Sequence, residues 1–466
     1  MSPQIARIAY TILILGLFYF NRDRSVKGSP AVWISAIWLS IGASRSVSLW
    51  FGLNGGDVTA DQYLEGSPFD RFLLTVFVIA ALAILAARAK KVLSILASNL
   101  PVVAYIGYCA ISIVWSDYSD VAAKRWVKAL GDFCVVLIVL TEPNPLVSVR
   151  RLMSRTGFLL VPTSLLVIKY FPDLGRYYNR FTYVQFYSGV ATDKNGLGLL
   201  CLVSGIGCVW QFIYLLREDR QKRGKGPLIA QGILLSIVCW LLWNANSMTS
   251  WSCFLMASTL MVCTSTSWIT KRLWAVHGLT LILLALSITA LFLDVGSSLV
   301  EGLGRDPSLT GRTEIWKAVL TIPVNPAFGT GFESFWLGKR LDTLWSMYWW
   351  KPNEAHNGYL ETYLDLGWIG VLLLAAILVA GYRSVISAVR RSPEEGVLRL
   401  ALLFTAIVYN CTESAIRIMH PAWICLLLAV TNVPGGWIRL NGRRQQDTTD
   451  RLIKFQSPVQ EHVAVL

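Results

Sequence analysis

Long apolar runs alternate with short polar connectors along almost the whole chain. A helix that crosses a bilayer needs about 20 apolar residues, and windows of that kind recur from one end of the sequence to the other. The predicted spans are 5–20, 31–50, 69–87, 92–115, 126–140, 156–171, 194–216, 228–244, 249–268, 273–293, 356–381, 397–413 and 419–433. The pattern therefore predicts an all-α polytopic membrane protein with about 12–13 transmembrane helices.

Composition agrees with this prediction. Hydrophobic residues make up 54% of the 466 residues and charged residues 15%, whereas a soluble domain has about 25% charged residues. The run 5–20 lacks a basic start and a small-residue cleavage site, so it is interpreted as a first span and not as a cleavable signal. The nine cysteines show no metal-ligand spacing and are interpreted as packing residues.

The connectors fall into two sets that alternate along the chain. The basic set comprises 21–28, 88–91, 149–155, 217–226, 270–272, 382–391 and the tail from 439. The other set is neutral or acidic. By the positive-inside rule the basic set is cytoplasmic, and this also accounts for the net charge of +14 without a nucleic-acid partner. We predict one membrane domain over 1–438 and a flexible cytoplasmic tail over 439–466.

Two segments on the predicted outer side are basic against this rule. The segment 171–193 contains Arg176 and Arg180. The longest loop, 294–355, contains Arg305, Arg312, Lys317, Lys339, Arg340 and Lys351. Long loops obey the rule weakly, but basic side chains on this side favour an anionic ligand.

The long loop has the signals of a folded segment. The stretch TGRTEIWKAVLTIP predicts a helix that begins at Thr310 and stops at Pro323. Gly329 and Gly331 predict a tight bend. The helical spacing places on one face Arg312, Trp316, Val319 and Leu320.

The first candidate site is the stretch RYYNRFTYVQFYSGVATDKNGLG, 176–198. Arg176 and Arg180 offer bidentate donors for phosphate, and Lys194 and Asn195 stand at a helix start, where backbone amides favour an anion. The alternative is that the arginines reach to lipid headgroups and have no other role. Arg312 is the second candidate, and its alternative is a structural pair with Glu314 or Asp306.

His356 is the third candidate. It stands at the outer end of a predicted span, where a solvated imidazole keeps a pKa of about 6.5 and can accept a proton at neutral pH. Glu354 is close enough in sequence to orient it, and Asn357 and Glu361 are polar neighbours. The alternative is an ordinary polar helix end. The four histidines show no paired ligand spacing, so neither a metal nor a cofactor is expected.

These cationic donors and this base would suit transfer from a sugar-linked diphosphate. The stretches TGRTEIWKAVLTIPVNPAFGTGFESF and HNGYLETYLDLGWIG, with TDKNGLG, IVWSDYSDVAAKRW and NANSMTSW, resemble the O-antigen ligase and O-antigen polymerase superfamily. The resemblance covers about 100–415 and is nearest to the exopolysaccharide polymerase branch.

The resemblance implies a GT-C-like, metal-independent glycosyltransferase of the bacterial inner membrane that faces the periplasm. It implies an undecaprenyl-diphosphate-linked glycan as donor, a glycan acceptor, and contact with membrane lipids and with other polysaccharide assembly or export proteins. Arg180 and Arg312 would hold the donor diphosphate, and His356 would activate the acceptor hydroxyl. Charge and proximity add to the substrate site Arg176, Lys194, Asn195, Lys351 and Asn357.

Three alternatives stay open at this point. A ligase would share this chemistry and transfer the glycan to a lipid A core. A transporter of polysaccharide or lipid-linked glycan is a different class, but the predicted spans contain few of the ionisable residues that mark a transport pathway. A purely structural membrane subunit would leave the basic outer loops unexplained.

Overall fold

The computed structural model describes residues 2–22, 29–53, 67–178, 184–217, 224–292 and 310–437. Helices dominate these ranges. They are α1 Pro3–Phe20, α2 Val32–Gly42, α3 Val47–Trp50, α4 Pro68–Ala86, α5 Ala89–Ala97, α6 Leu100–Ile111, α7 Ser119–Leu140, α8 Pro145–Tyr170, α9 Pro172–Gly175, α10 Lys194–Arg217, α11 Lys225–Ala245, α12 Met248–Ser265, α13 Ser267–Thr270, α14 Leu273–Phe292, α15 Thr310–Thr321, α16 Gly338–Met347, α17 Gly358–Arg391, α18 Pro393–Tyr409 and α19 Pro421–Val430. Two short strands, β1 Arg176–Tyr178 and β2 Gln185–Tyr187, pair antiparallel.

The predicted all-α polytopic architecture is confirmed. By length and composition, six helices are each able to cross a membrane: α1, α4, α8, α10, α11 and α17. Within the described ranges the other predicted windows contain shorter or less apolar helices. The number of helices that are long and apolar enough to cross a membrane is therefore lower than the twelve or thirteen predicted spans. The window 31–50, for example, is divided between α2 and α3.

The predicted span 92–115 is not one continuous helix. It is divided between α5 and α6, the latter continued by a 3-10 helix Ser112–Trp115, and the two parts are bent by 95° at the break. Pro101 has no N–H and disfavours helical geometry in the residue before it. The side chain of Asn99 connects the break to the segment after α19, because its Nδ2 donates to the carbonyls of Ile95 (2.6 Å) and Asn432 (2.8 Å). The break is therefore a built corner of the fold.

The core forms around α10. This helix is apolar on all sides and packs against α8, α11 and α12, and a helix of that kind is stable only when it is enclosed or lies in lipid. Helices α18 and α19 are also buried along most of their length. The outer helices α1 and α4 leave many large apolar side chains exposed, as expected for contact with lipid.

A kink in α17 anchors the long loop. Gly367 has φ of 63°, so the helix is interrupted there and its backbone groups need other partners. The loop supplies them: the N–H of Trp368 donates to the carbonyl of Pro326 at 2.9 Å, and the N–H of Gly331 donates to the carbonyl of Asp365 at 2.8 Å. Gly329 and Gly331 have φ of 68° and 97°, which confirms the predicted bend.

The described part of the long loop, 310–355, has its own small core. Buried apolar side chains from α15, α16 and the start of α17 meet there: Ile315, Val319, Phe335, Trp336, Leu341, Leu344, Ala355 and Leu364. Helix α15 ends at Thr321, two residues before Pro323, in agreement with the predicted stop. The loop is thus a folded lid on one end of the helical bundle.

The two ends of α7 identify the two ends of the bundle. Near its start, Arg125 donates to the backbone carbonyl of Glu333 in the loop. Near its end, the basic connector 88–91 contacts the residues that follow α7, where Arg88 pairs with Glu142 at 2.6 Å. At a rise of 1.5 Å per residue these ends are about 33 Å apart. The loop and this basic connector therefore lie on opposite ends of the bundle.

Candidate active site

His356 lies in a short, strained segment that is held from both sides. Its backbone has φ of 51°, a left-handed conformation that few residues other than glycine adopt. The neighbouring Ala355 is fixed by two bonds, since its carbonyl accepts from Trp316 Nε1 at 2.7 Å and its N–H donates to the carboxylate of Glu361. Buried Glu361 thus positions the backbone beside the imidazole.

Asn357 is the cap of α17. Its side-chain oxygen accepts from the backbone N–H groups of Tyr359 and Leu360, each at 3.0 Å, and so satisfies two of the free donors at the helix start. Its own N–H donates to Ser414 Oγ at 3.2 Å. The predicted polar neighbour of His356 therefore has a structural task, and its predicted contact with substrate stays a prediction.

Glu413 joins three separate elements at one carboxylate. Its Oε1 accepts from Arg312 NH2 at 2.8 Å and from Asn195 Nδ2 at 3.2 Å. Its Oε2 lies 3.3 Å from His356 Nδ1. The side chain of Glu413 is only 8% exposed, so these contacts are shielded from water and from screening by salt. The carboxylate brings the helix starts of α10 and α15 to the imidazole.

Glu354 extends this network on the other side. Its Oε1 lies 3.0 Å from His356 Nδ1, and its Oε2 pairs with Arg417 NH1 at 2.6 Å. The order of contacts is Arg312, Glu413, His356, Glu354, Arg417. The predicted orientation of the imidazole by Glu354 is confirmed in geometry, and the ring is shared between two carboxylates.

The environment raises the pKa of His356. Burial of the ring lowers the pKa, but the hydrogen bond to Glu413 and the charges of Glu354 and Glu413 outweigh burial, and Arg312 opposes them in part. The expectation of a freely solvated imidazole with an ordinary pKa is wrong, because the side chain is 30% exposed and contacts two acids. The ring holds a proton more readily than an isolated histidine.

The contacts also determine which nitrogen is available. Both carboxylates lie at Nδ1, so Nδ1 carries the proton that they accept. In the neutral ring Nε2 then has the lone pair, and no hydrogen-bond partner for Nε2 is found among the described residues. This is the arrangement that a general base requires.

Arg312 has a partner that was not weighed from sequence. It pairs with Glu413 and not with the adjacent Glu314, and Asp306 lies outside the described residues. Its side chain is 15% exposed.

The predicted face of α15 is correct except at its end. Arg312, Trp316 and Val319 point inward. Leu320 is 59% exposed, and Ile315 takes the buried position instead.

Among the remaining predicted residues that the structure describes, the recorded contacts of Arg176, Lys194 and Lys351 are not with His356. Arg176 donates through Nε to the carbonyl of Ile168 at 2.8 Å. Lys194 lies over the ring of Phe186 at 4.7 Å, and exposed Lys351 lies over the ring of Trp345 at 5.3 Å. Arg180 lies outside the described residues. The roles of these four basic residues stay predictions.

The sequence interpretation missed Glu413 and Arg417. Both lie in the stretch NCTESAIRIMH, 410–420, between α18 and α19. Glu413 was included in the end of a predicted span, where it was treated as part of an apolar run. An acid at that depth is costly unless it has partners, and this is the signal that would have identified it.

The same acids also form a group of metal-ligand types. One ligand atom each from Glu354, His356 and Glu413 lie within 4.8 Å of one another. The carboxylates are already paired with Arg417 and Arg312, so a metal ion would have to compete with two guanidinium groups. Sequence spacing could not indicate this group, because Glu413 is 57 residues from His356.

Two comparisons with known proteins concern this region. Residues 196–375, which include Arg312 and His356, match the family described as O-Antigen ligase. The chain is also 24% identical over 305 residues to the exopolysaccharide production protein ExoQ of Rhizobium meliloti (strain 1021). That similarity covers 63% of this chain and 66% of the relative, just under two thirds of its length. The apolar helices make the chain a polytopic membrane protein, and both matches show that it is similar to the O-antigen ligase and polymerase superfamily, near the exopolysaccharide branch.

Proposed function

We propose that this protein is a membrane glycosyltransferase that polymerises lipid-linked oligosaccharide repeat units in the synthesis of a surface polysaccharide. The observation that carries the proposal is the junction at Glu413, where a part-exposed imidazole, a guanidinium and an amide from three elements meet. The name of the relative ExoQ, an exopolysaccharide production protein, supports the polysaccharide product.

His356 is the base in this proposal. The acceptor hydroxyl approaches Nε2, gives up its proton to that nitrogen, and its oxygen forms the new bond to the anomeric carbon of the donor sugar. Glu413 and Glu354 keep the Nδ1 proton in place and stabilise the imidazolium that results. The left-handed backbone fixes the ring where it can do this without rearrangement.

Arg312 is the group that receives the leaving diphosphate. The bond between the anomeric carbon and the phosphate oxygen breaks as the new bond forms, and negative charge grows on that oxygen. A guanidinium hydrogen-bonds phosphate in a planar, bidentate geometry, and Asn195 adds an amide donor beside it. Arg180 is the further candidate for this task.

We place this reaction on the periplasmic face of the bacterial inner membrane, with an undecaprenyl-diphosphate-linked glycan as donor. The support is the position of the site at the loop end of α7, opposite the basic connector at 88–91. We propose that no metal is needed, because Arg312 supplies the positive charge that a cation would otherwise provide. A chelator should then leave transfer by the purified protein unchanged, and activity that is lost and restored by a divalent cation would contradict this.

The second candidate is a ligase, which the description of the matched family favours. A deletion strain separates the two functions. If single lipid-linked repeat units accumulate, the lost activity is polymerisation; if long lipid-linked chains accumulate, it is ligation. Complementation with His356→Ala or Arg312→Ala should fail to restore polymer while immunoblots show normal amounts in the membrane. Full restoration by both variants would overturn the transferase proposal.

A further inference from the structure

A basic cavity lies beside the His356 site at the same end of the bundle. Its volume is about 440 Å³, within the range of roughly 300–1,000 Å³ that is usual for ligand pockets. It opens between the end of α2, the start of α4, one face of α7 and the segment 417–420. No function assigned above uses this cavity.

The charge of the cavity is strongly positive. Its basic side chains are Arg71, Lys124, Arg125, Lys128 and Arg417, and its acids are Asp70 and Glu333. Asp70 is already bound, because its two oxygens accept from the N–H and the hydroxyl of Ser48 at 2.9 and 2.5 Å. The basic side chains of the lining outnumber its two acids, and one of them, Arg417, is also paired with Glu354.

Helix α7 presents its lysines to the cavity as a pair. Lys124 and Lys128 are four residues apart and share one face of the helix. Within the described part of the chain neither side chain has an ion-pair or hydrogen-bond partner. Like charges at this spacing repel, so an anion between them would stabilise the fold as well as bind.

Two nitrogens at the wall of the cavity are also without partners. Arg71 Nε and His420 Nδ1 are buried and make no hydrogen bond within the described residues. Buried polar atoms in native proteins are almost always hydrogen-bonded, and those that are not need an explanation. A phosphate oxygen would satisfy the donor of Arg71.

A single ion pair, Arg417–Glu354, connects the cavity to the proposed base His356. Arg417 lines the cavity and also pairs with Glu354 at 2.6 Å, and Glu354 lies 3.0 Å from His356 Nδ1. Arg312, which is proposed to hold the donor diphosphate, reaches the imidazole from the other side through Glu413. The two groups of basic residues therefore flank His356.

We propose that this cavity binds the diphosphate of the acceptor, a second lipid-linked glycan. This inference rests on the proposed polymerase function, in which both substrates are lipid diphosphates and need separate cationic sites. The acceptor sugars would extend from the cavity toward His356, so that the terminal hydroxyl reaches Nε2. Membrane phospholipids have the same phosphate chemistry, and the test distinguishes the two sources.

The test counts bound lipid by native mass spectrometry of the full-length protein, with undecaprenyl diphosphate as the only added ligand. We expect two equivalents on the wild type, one on the double variant Lys124→Gln/Lys128→Gln, and one on Arg312→Gln. The affinity of the lost site should fall about tenfold or more. The double variant Lys317→Gln/Lys339→Gln, which changes two exposed loop lysines, should retain both equivalents.

Further outcomes decide the inference. Lys124→Arg/Lys128→Arg keeps the charge and should restore the second equivalent, which separates lost binding from lost folding. A single equivalent on the wild type, or two on Lys124→Gln/Lys128→Gln, overturns the proposal. Co-purified phosphatidylglycerol that disappears in this variant, with the diphosphate count unchanged, assigns the cavity to membrane lipid and overturns it too. Since binding is counted without turnover, failure of the transferase proposal would be seen separately with His356→Ala.

Discussion

Two buried ionic networks in this molecule use the same residue types in opposite ways. In one, Arg399 is fully buried and each of its three side-chain nitrogens donates a hydrogen bond: Nε to the carbonyl of Ala429, NH1 to Glu395, and NH2 to Ser384 Oγ. In the other, around His356, the ring is 30% exposed, the backbone is left-handed, and two acids share one nitrogen. In the first network every arginine nitrogen has an acceptor, whereas in the second His356 Nε2 has no hydrogen-bond partner among the described residues.

The comparison teaches that charge in a membrane protein does not by itself mark a site. Both networks hold arginine and glutamate at similar distances, and both would draw attention in a search for ionisable residues. Only the His356 network leaves capacity to bind or to accept a proton, and it lies where the folded loop meets the bundle. A polar network points to a reactive site when one of its groups lacks a hydrogen-bond partner and is also exposed to solvent.

The largest expected effect is on transfer in His356→Ala. Removal of a general base lowers the rate by about 10²- to 10⁴-fold. Because the side chain is part-exposed, the thermal midpoint of the purified protein should change little. Turnover of a lipid-linked repeat unit and a thermal melt on the same sample measure both quantities. A variant that keeps more than a third of the wild-type rate would remove His356 from the reaction.

Arg399→Met should produce the reverse result. It leaves Glu395 buried without its partner, at a cost of about 3–5 kcal/mol, so the yield and the thermal midpoint should fall. The rate per folded molecule should remain close to the wild type. The double variant Arg399→Met/Glu395→Gln should recover part of the stability. If the transfer rate per folded molecule fell in either variant, the Arg399 and His356 networks would not be separate.

Glu413→Gln should give an intermediate loss. The amide keeps the size of the side chain but loses the charge that joins Arg312 to His356. We expect transfer to fall by roughly 10- to 100-fold, in line with about 1.5–3 kcal/mol for hydrogen bonds to charged groups. Steady-state rates with Glu314→Gln, an exposed acid on α15, provide the control. Equal rates in the two variants would contradict the role of Glu413.

The smallest expected effect is a shift in pH dependence in Glu354→Gln. The base acts in its neutral form, and the raised pKa of His356 places the acid limb of the rate profile above about pH 6.5. Removing the charge of Glu354 removes one cause of that increase, so the midpoint should move to lower pH. Rate profiles of both proteins measure the shift, and a midpoint that moves upward would show that Glu354 does not act on the imidazole.

Local signals predicted much of the loop that carries the site. The start and stop of α15, the bend at Gly329 and Gly331, and the position of His356 before a helix all follow from residues close together in sequence. Each depends on backbone chemistry, such as a proline that ends a helix or a glycine that accepts positive φ. The 95° bend within 92–115 could not be predicted in this way, because apolar windows measure hydropathy and not helix direction.

The partners of the site residues could not be predicted in the same way. Glu413 reaches His356 across 57 residues and Arg312 across 101, and its own neighbours made it look like the end of an apolar span. The lysines of α7 gave no indication that they face a cavity shared with Arg417. Such contacts arise from the packing of distant helices, which no local window contains.

The sequence by itself determined that the protein lies in a membrane, that it is helical, and which histidine is the candidate base. Hydropathy, helix signals and the scarcity of histidine can all be read from single segments. The tertiary structure decided which charges meet. In the packed structure Arg312 pairs with Glu413, and His356 Nδ1 lies next to both Glu354 and Glu413. A basic cavity lies beside this group of residues. The physical reason is that electrostatic coupling depends on distance in space and on burial, and both are set only when the helices pack.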